Sequence, residues 1–340
     1  MVLYYVIAFF CVLSVLLKGK IGKFIGWSVF ALMCVMTIFR GDEVGTDTMA
    51  YLMYSADYRV EEYIISGVVY LITQGVVNER AIIYFTGVVT YFFIYLLIRR
   101  SRIDIRYFLL FFFIDGWFVM GLNIARQIAA ISIIAYFLPC IFNDKWTKRV
   151  PFFAGCIVAA GFHISSLFVL PLYFCRYIHL SRESNVRLII IMGGILLLNV
   201  VPINSLMKLC LPDVYSQDYT DLLAETASTS FIGFLYKCFW LFIYVYMYKY
   251  IYRRKDQLLF VISAIIVNAT FGMEPIISRI FLVYSFLLVF YSSVAFTEKN
   301  LKQDRMLKKL FFILLLIGLY MRLSSISVHP DLKQFEFIQL

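Results

Sequence analysis

The sequence predicts an all-α integral membrane protein, a polytopic helical bundle of about 10 to 12 membrane segments with short or re-entrant helices on its outer face. Three observations carry that prediction. Hydrophobic residues make up 62% of the 340 and charged residues only 15%, with a mean hydropathy of +0.85, more apolar than a soluble domain of this length. The apolar residues form long continuous runs, as at 81–98 and 278–296, where a transmembrane barrel would show short alternating segments. Charge, finally, is concentrated in alternate connections between those runs.

Taken in order, the apolar segments are 2–17, 22–39, 81–98, 107–122, 126–142, 150–162, 164–175, 188–204, 231–250, 258–273, 278–296 and 310–321. The first is expected to be a retained helix with its N-terminus outside. A secretory signal places positive residues before its apolar run, whereas Lys18, Lys20 and Lys23 follow this one. The pair flanking His163 is short enough to be a helical hairpin that only partly crosses. The seven cysteines, at 11, 34, 140, 156, 175, 210 and 238, contain no CxxC pair and fall mostly inside apolar spans. They read as packing residues.

The basic connections are 18–23, 99–106, 143–149, 176–187, 249–257 and 298–309. They hold 22 of the 31 Lys and Arg against six of the 21 Asp and Glu, which leaves nine basic and fifteen acidic residues elsewhere. The positive-inside rule makes these six connections cytoplasmic. The net charge of +10 is therefore an orientation signal, and nucleic-acid binding is not expected. The outer face then receives 40–80, 123–125, the turn at 162–165, 205–230, 273–277 and the tail from 322. Within 40–80, the stretch 58–77 reads as an interfacial or re-entrant helix, because a full span there would turn the 99–106 cluster outward. The acidic loop 205–230 reads as a mobile lid. No internal repeat, low-complexity tract or soluble domain interrupts a single membrane domain over 1–340.

Four polar constellations fall on that outer face. The segment FRGDEVGTDTMAY, residues 39–51, follows the second span. In it, Gly41 and Gly45 permit backbone turns with positive φ, and Asp47, Thr48 and Tyr51 offer hydrogen-bonding groups. The planar guanidinium of Arg40 suits a phosphate or diphosphate bidentately; pairing with Asp42 or Glu43 is the alternative. Asn123, Arg126 and Gln127 open the fifth span, with Asn123 and Gln127 four apart on one helical face. That helix N-terminus favours an anion and repels Arg126, which therefore needs a partner. His163, in GFHISSLFVLP, is the only histidine inside an apolar stretch; it is either a packing residue or a neutral imidazole base, with Ser165 and Ser166 adjacent. Glu274 stands at the start of a helix signalled by Pro275, and Arg279 about one turn deeper. An arginine at that depth is a functional candidate by default. No HExxH, DxD or nucleotide-binding glycine loop is present, so neither metal nor cofactor is expected.

The order of RGDEVGTDTMAY after the second span, then ARQIAA, then GFHISSLFVLP, then a late SRIFLVY resembles the EpsG-type branch of the Wzy polysaccharide polymerases. The resemblance implies a glycosyltransferase of the bacterial cell (inner) membrane that joins oligosaccharide repeat units outside the cytoplasm, as in O-antigen, capsule or exopolysaccharide synthesis. Donor and acceptor would both be carried on undecaprenyl diphosphate. By that resemblance Arg40, Arg126 and Arg279 neutralise the diphosphate, and Asp47 or His163 accepts the proton of the attacking hydroxyl. Thr48, Tyr51, Asn123, Gln127 and Glu274 line the substrate. A chain-length regulator and a flippase are the functional partners it implies. Two other readings compete: a lipid-linked oligosaccharide flippase, which requires buried charge through both membrane halves, and a multi-span sugar acyltransferase using a cytoplasmic acyl donor.

Overall fold

In the computed structural model every described element is helical. The structure describes residues 2–17, 19–45, 47–53, 62–177, 247, 251, 254–270, 279–297, 305–328 and 335. The segments 188–204 and 231–250 (apart from Met247), the loop 205–230, Glu274, Cys210 and Cys238 lie outside the described residues.

The helices are α1 (Val2–Leu16), α2 (Gly19–Ile38), α3 (Thr48–Leu52), α4 (Tyr63–Thr73), α5 (Ala81–Ser101), α6 (Ile105–Ile114), α7 (Trp117–Asn123), α8 (Ala125–Phe137), α9 (Val150–Phe162), α10 (Arg254–Thr270), α11 (Leu282–Thr297) and α12 (Arg305–Val328). Tighter 3-10 turns cover Leu138–Phe142, Trp146–Lys148 and Ile164–Tyr177. Among the described residues, three helical stretches are long and apolar enough to cross a bilayer: Gly19–Ile38, Ala81–Ser101 and Ala125–Phe142. The α6–α7 pair makes a fourth if it is one broken span. The chain is thus an all-α, polytopic membrane protein, and large apolar side chains such as Phe9, Ile21, Phe24, Val88 and Phe92 face outward from its helices. Lipid is the environment that removes the penalty of exposing them.

Two compact units divide the chain: residues 1–170 with 292–340, and residues 171–291. In the first, α2 packs on α1, α5 and α6, α5 on α8, and α8 on α9, while α4 lies against α5 and α9. Its core is aromatic: Tyr4, Phe108, Phe112, Phe113, Trp117, Phe118, Phe152 and Phe162 are all fully buried. In the second, Leu258, Leu259, Phe260 and Ala264 form the buried side of α10, with Val283, Phe286 and Leu287 buried on α11. Cys11, Cys140, Cys156 and Cys175 are buried and free of disulfides, as packing cysteines should be.

Where 107–122 read as one apolar run, the structure breaks it. Gly116 adopts φ +88, a left-handed conformation that ends α6, and α7 leaves at 61° to it. Arg322 of α12 fills the break. Its Nε donates to the Ile114 carbonyl at 3.0 Å, one of the acceptors that the end of α6 leaves without an intrahelical donor. The expected interfacial helix in 58–77 is α4, eleven residues and about 16 Å long, too short to span.

The basic connection 99–106 is tied to three helices at one end of the first unit. Arg106 donates to the Leu17 carbonyl at 2.9 Å, the Asp104 N–H donates to Thr297 Oγ1 at 3.0 Å, and Arg100 donates to the Tyr136 carbonyl at 2.9 Å. The 99–106 connection is thereby held against the C-terminal ends of α1 and α11 and against Tyr136 of α8. At the opposite ends of α2 and α5 lie Arg40 and Arg80, where the candidate residues collect.

Candidate active site

The site begins two residues beyond α2. Arg40 is fully buried; its Nη1 donates to the Thr37 carbonyl and its Nε to Thr48 Oγ1, each at 2.9 Å. Thr48 Oγ1 donates in turn to the Val44 carbonyl at 2.6 Å, so the 40–48 turn is wrapped around the guanidinium. Burial pushes the Arg40 guanidinium down to about 10, which leaves it charged at neutral pH. Of the two glycines in the turn, only Gly45 has positive φ, +89; the expectation for Gly41 does not hold. A Cβ at Gly45 would lie 2.3 Å from the Leu122 carbonyl and 2.8 Å from Asn123 Oδ1. Glycine is what allows this turn to lie on the end of α7.

Asp42, one of the two acids offered as alternative partners for Arg40, is taken elsewhere. Asp42 forms an ion pair with Arg80, and Arg80 Nη1 also donates to the Arg40 carbonyl at 2.9 Å. Among the described residues Arg40 has no carboxylate within ion-pair distance, and its Nη2 has no hydrogen-bond partner. A buried cation in that state is expensive unless an anion joins it.

Across the turn, α3 presents Tyr51, whose hydroxyl donates to the Asn123 carbonyl at 3.2 Å. The Arg126 guanidinium lies over the Tyr51 ring at 5.4 Å and is ion-paired with Glu62, a carboxylate only 2% exposed. Glu62 is therefore the partner that Arg126 requires at a helix N-terminus. Gln127, one residue further along α8, donates through Nε2 to Ser165 Oγ at 3.1 Å, and Ser165 Oγ lies 2.8 Å from His163 Nδ1. Asn123 does not share a face of α8 with Gln127 as expected. It ends α7, and Ile124, at φ −99 and ψ 50, breaks the helical register between them.

One end of the first unit thus gathers Arg40, Thr48, Tyr51, Asn123, Arg126, Gln127 and His163. Asp47 occupies the N-cap position of α3 without a side-chain capping bond and is among the charges acting on Arg40. Arg279 lies in the second unit at an exposed position, and Glu274 is outside the described residues. Sequence reasoning passed over Glu62 and Arg80 and gave Ser165 no role. Signals for two of them were present: Arg80 immediately precedes α5, where the helix dipole opposes a cation as it does at Arg126, and Glu62 immediately precedes α4. Nothing local marks Ser165 except its place two residues after His163.

Chemically, the cluster offers a buried guanidinium without a carboxylate among the described residues, a second guanidinium paired with a buried carboxylate, and an imidazole hydrogen-bonded to Ser165. Among the described residues no group of His, Cys, Asp and Glu has the spacing to hold a metal ion. The sequence matches the family described as the EpsG family over residues 23–338, nearly the whole chain. No curated protein and no solved structure matches it.

Proposed function

The chain belongs to the EpsG family, and on that premise we propose that it is a membrane glycosyltransferase that polymerises undecaprenyl-diphosphate-linked oligosaccharide repeat units on the extracytoplasmic face of the bacterial cell membrane. The observation that carries this reading is Arg40, buried, charged and, among the described residues, without a carboxylate. A diphosphate supplies the missing negative charge, and its non-bridging oxygens match the guanidinium fork. Arg126 provides a second cation at the N-terminus of α8, where an anion is further favoured by the helix dipole. The sorting of basic connections to the opposite ends of α2 and α5 supports the outward-facing assignment.

In the reaction, a hydroxyl oxygen of the acceptor repeat unit attacks the anomeric carbon of the donor glycan. The new C–O bond forms as the bond from that carbon to the diphosphate breaks. The electron pair leaves with the polyprenyl diphosphate, and the hydroxyl proton passes to Asp47 or His163. Stabilising the charge that builds on the leaving group is the main catalytic task, and preorganised cations in a water-poor site perform it without a metal. Thr48 and Tyr51 hold Arg40 and Arg126 in place, while Arg279 and Glu274 keep the roles read from the sequence. A chain-length regulator and a flippase are the proposed functional partners.

Deletion of the gene tests the reading through a gel that resolves glycan chain length. Loss of the ladder with a single repeat unit retained on its lipid or core is the expected result. A ladder unchanged except for a missing acyl substituent would favour the acyltransferase, and complete loss of surface glycan with units trapped inside would favour the flippase.

A further inference from the structure

The hydrogen bonds around His163 determine which of its nitrogens carries the proton. His163 ends α9: its N–H donates to the Ala159 carbonyl at 3.0 Å, and its own carbonyl accepts from the Ser166 N–H at 3.1 Å. With the backbone extended there, at φ −160 and ψ 120, the ring folds onto the following turn. The Ser165 N–H donates to Nδ1 at 3.3 Å. A backbone N–H can only donate, so Nδ1 must present its lone pair. The second contact is compatible with this: Gln127 Nε2 donates to Ser165 Oγ, whose own proton remains available to Nδ1, 2.8 Å away. A neutral imidazole has one N–H, and here it is on Nε2.

We infer that His163 serves the reaction as a hydrogen-bond donor through Nε2–H and not as its base, with Ser165 the positioning residue that sets this tautomer. The inference rests on the polymerase reading of the same site. To accept a proton at Nε2, the neutral ring would first have to move its own proton to Nδ1, where it would face the Ser165 N–H donor head on. Held as it is, the ring offers Nε2–H to an oxygen that gains negative charge, such as the bridging oxygen between the anomeric carbon and the diphosphate. No proton needs to transfer from it: the acceptor's hydroxyl proton goes to a carboxylate, Asp47 being the candidate, and the bond-breaking electron pair goes to the leaving diphosphate. Gln127 contributes indirectly, because its amide orients the serine hydroxyl.

Two measurements on the full-length protein in nanodiscs and in cells test this. In protein labelled with 15N histidine, the signals that vanish in His163→Gln belong to His163. At neutral pH they are expected to show Nδ1 unprotonated and Nε2 protonated, with Ser165→Thr preserving this pattern and Ser165→Ala, which keeps the backbone N–H but loses the hydroxyl, leaving Nδ1 unprotonated with a shifted 15N signal. In cells, the amide nitrogen of His163→Gln reaches the position of Nε2 and should retain polymer. His163→Asn reaches only the position of Nδ1 and should lose polymer by about a hundredfold, the usual effect of removing a donor from a developing charge. A proton found on Nδ1 overturns the inference, as does a His163→Gln protein present in the membrane at wild-type level but as inactive as His163→Ala. If gene deletion leaves the ladder unchanged, the polymerase reading fails while the 15N signals still decide the tautomer, so the two failures are distinguishable.

Discussion

Arg40 and Arg126 satisfy the same physical requirement in opposite ways. Arg126 has Glu62, so its charge is compensated within the chain, and the Tyr51 ring adds a face for the guanidinium. Among the described residues Arg40 has two neutral acceptors and no acid. Breaking a buried pair strands the remaining charge, so Glu62→Ala should lower stability by about 3 to 5 kcal/mol. Thermal unfolding of the detergent-solubilised protein reads that loss, and Glu62→Ala combined with Arg126→Met should recover most of it; equal melting of wild type and Glu62→Ala would show the pair to be solvated. Much of this was legible in the chain. Arg40, Arg126 and His163 stood out because charge or imidazole beside an apolar run needs a reason, and the helix-dipole argument demanded a partner for Arg126. The identity of the partner was not legible, since Glu62 is 64 residues away and only the fold brings them together. The alternative partner offered for Arg40, Asp42, goes instead to Arg80, which the start of α5 brings to it and which nothing near Asp42 in the sequence marks.

Helices of this chain are defined as much by their ends as by their apolar faces. The break between α6 and α7 lies at Asp115–Gly116, a turn-forming dipeptide that the surrounding apolar residues obscured. A Cβ at Gly116 would come within 2.3 Å of the Arg322 Cζ and would also be strained by φ +88. Gly116→Ala should therefore destabilise the protein, and Arg322→Ala in the same chain should relieve the clash but leave about 1 to 2 kcal/mol of backbone strain. A double variant that melts with wild type would contradict this. At the start of α6, Asp104 accepts from the Arg106 N–H and binds its guanidinium through Nε at 2.9 Å and Nη2 at 2.6 Å. Burial alone would raise the Asp104 carboxyl, but the bonds and charge of Arg106 outweigh it and hold the carboxyl below its ordinary value. A carboxyl lowered on folding stabilises the protein fully above its unfolded pKa of about 3.9 and loses that contribution as pH falls through the folded value. Asp104→Asn should accordingly melt below wild type at pH 7, with the gap closing below about pH 4. A gap independent of pH would assign the effect to packing.

Over the whole molecule, sidedness is the property that the sequence displayed most openly, because charge sorting needs no knowledge of side-chain contacts. The structure adds that the 99–106 connection is hydrogen-bonded to the end of α1 at Leu17, the end of α11 at Thr297 and Tyr136 of α8, while Arg40, Arg126 and His163 stand at the other end of the unit. Single cysteines introduced at Gly75 and at Lys148 in a chain otherwise free of cysteine should differ in intact cells, the first labelled by an impermeant thiol reagent and the second only after lysis. The reverse pattern would place the candidate site in the cytoplasm. Convergence within the site, by contrast, could not be read from the chain, since it depends on a turn at Gly45 that packs against α7 and on the broken register at Ile124. The central claim is that Arg40, buried and without an acid among the described residues, is completed by a diphosphate. The most direct test is the glycan ladder of a strain whose only copy of the gene carries Arg40→Ala, with Arg40→Lys alongside and protein in the membrane quantified for both. The account predicts no ladder and a retained single repeat unit for alanine, with partial recovery for lysine, whose point charge cannot reproduce the fork. A normal ladder from the alanine variant would contradict it.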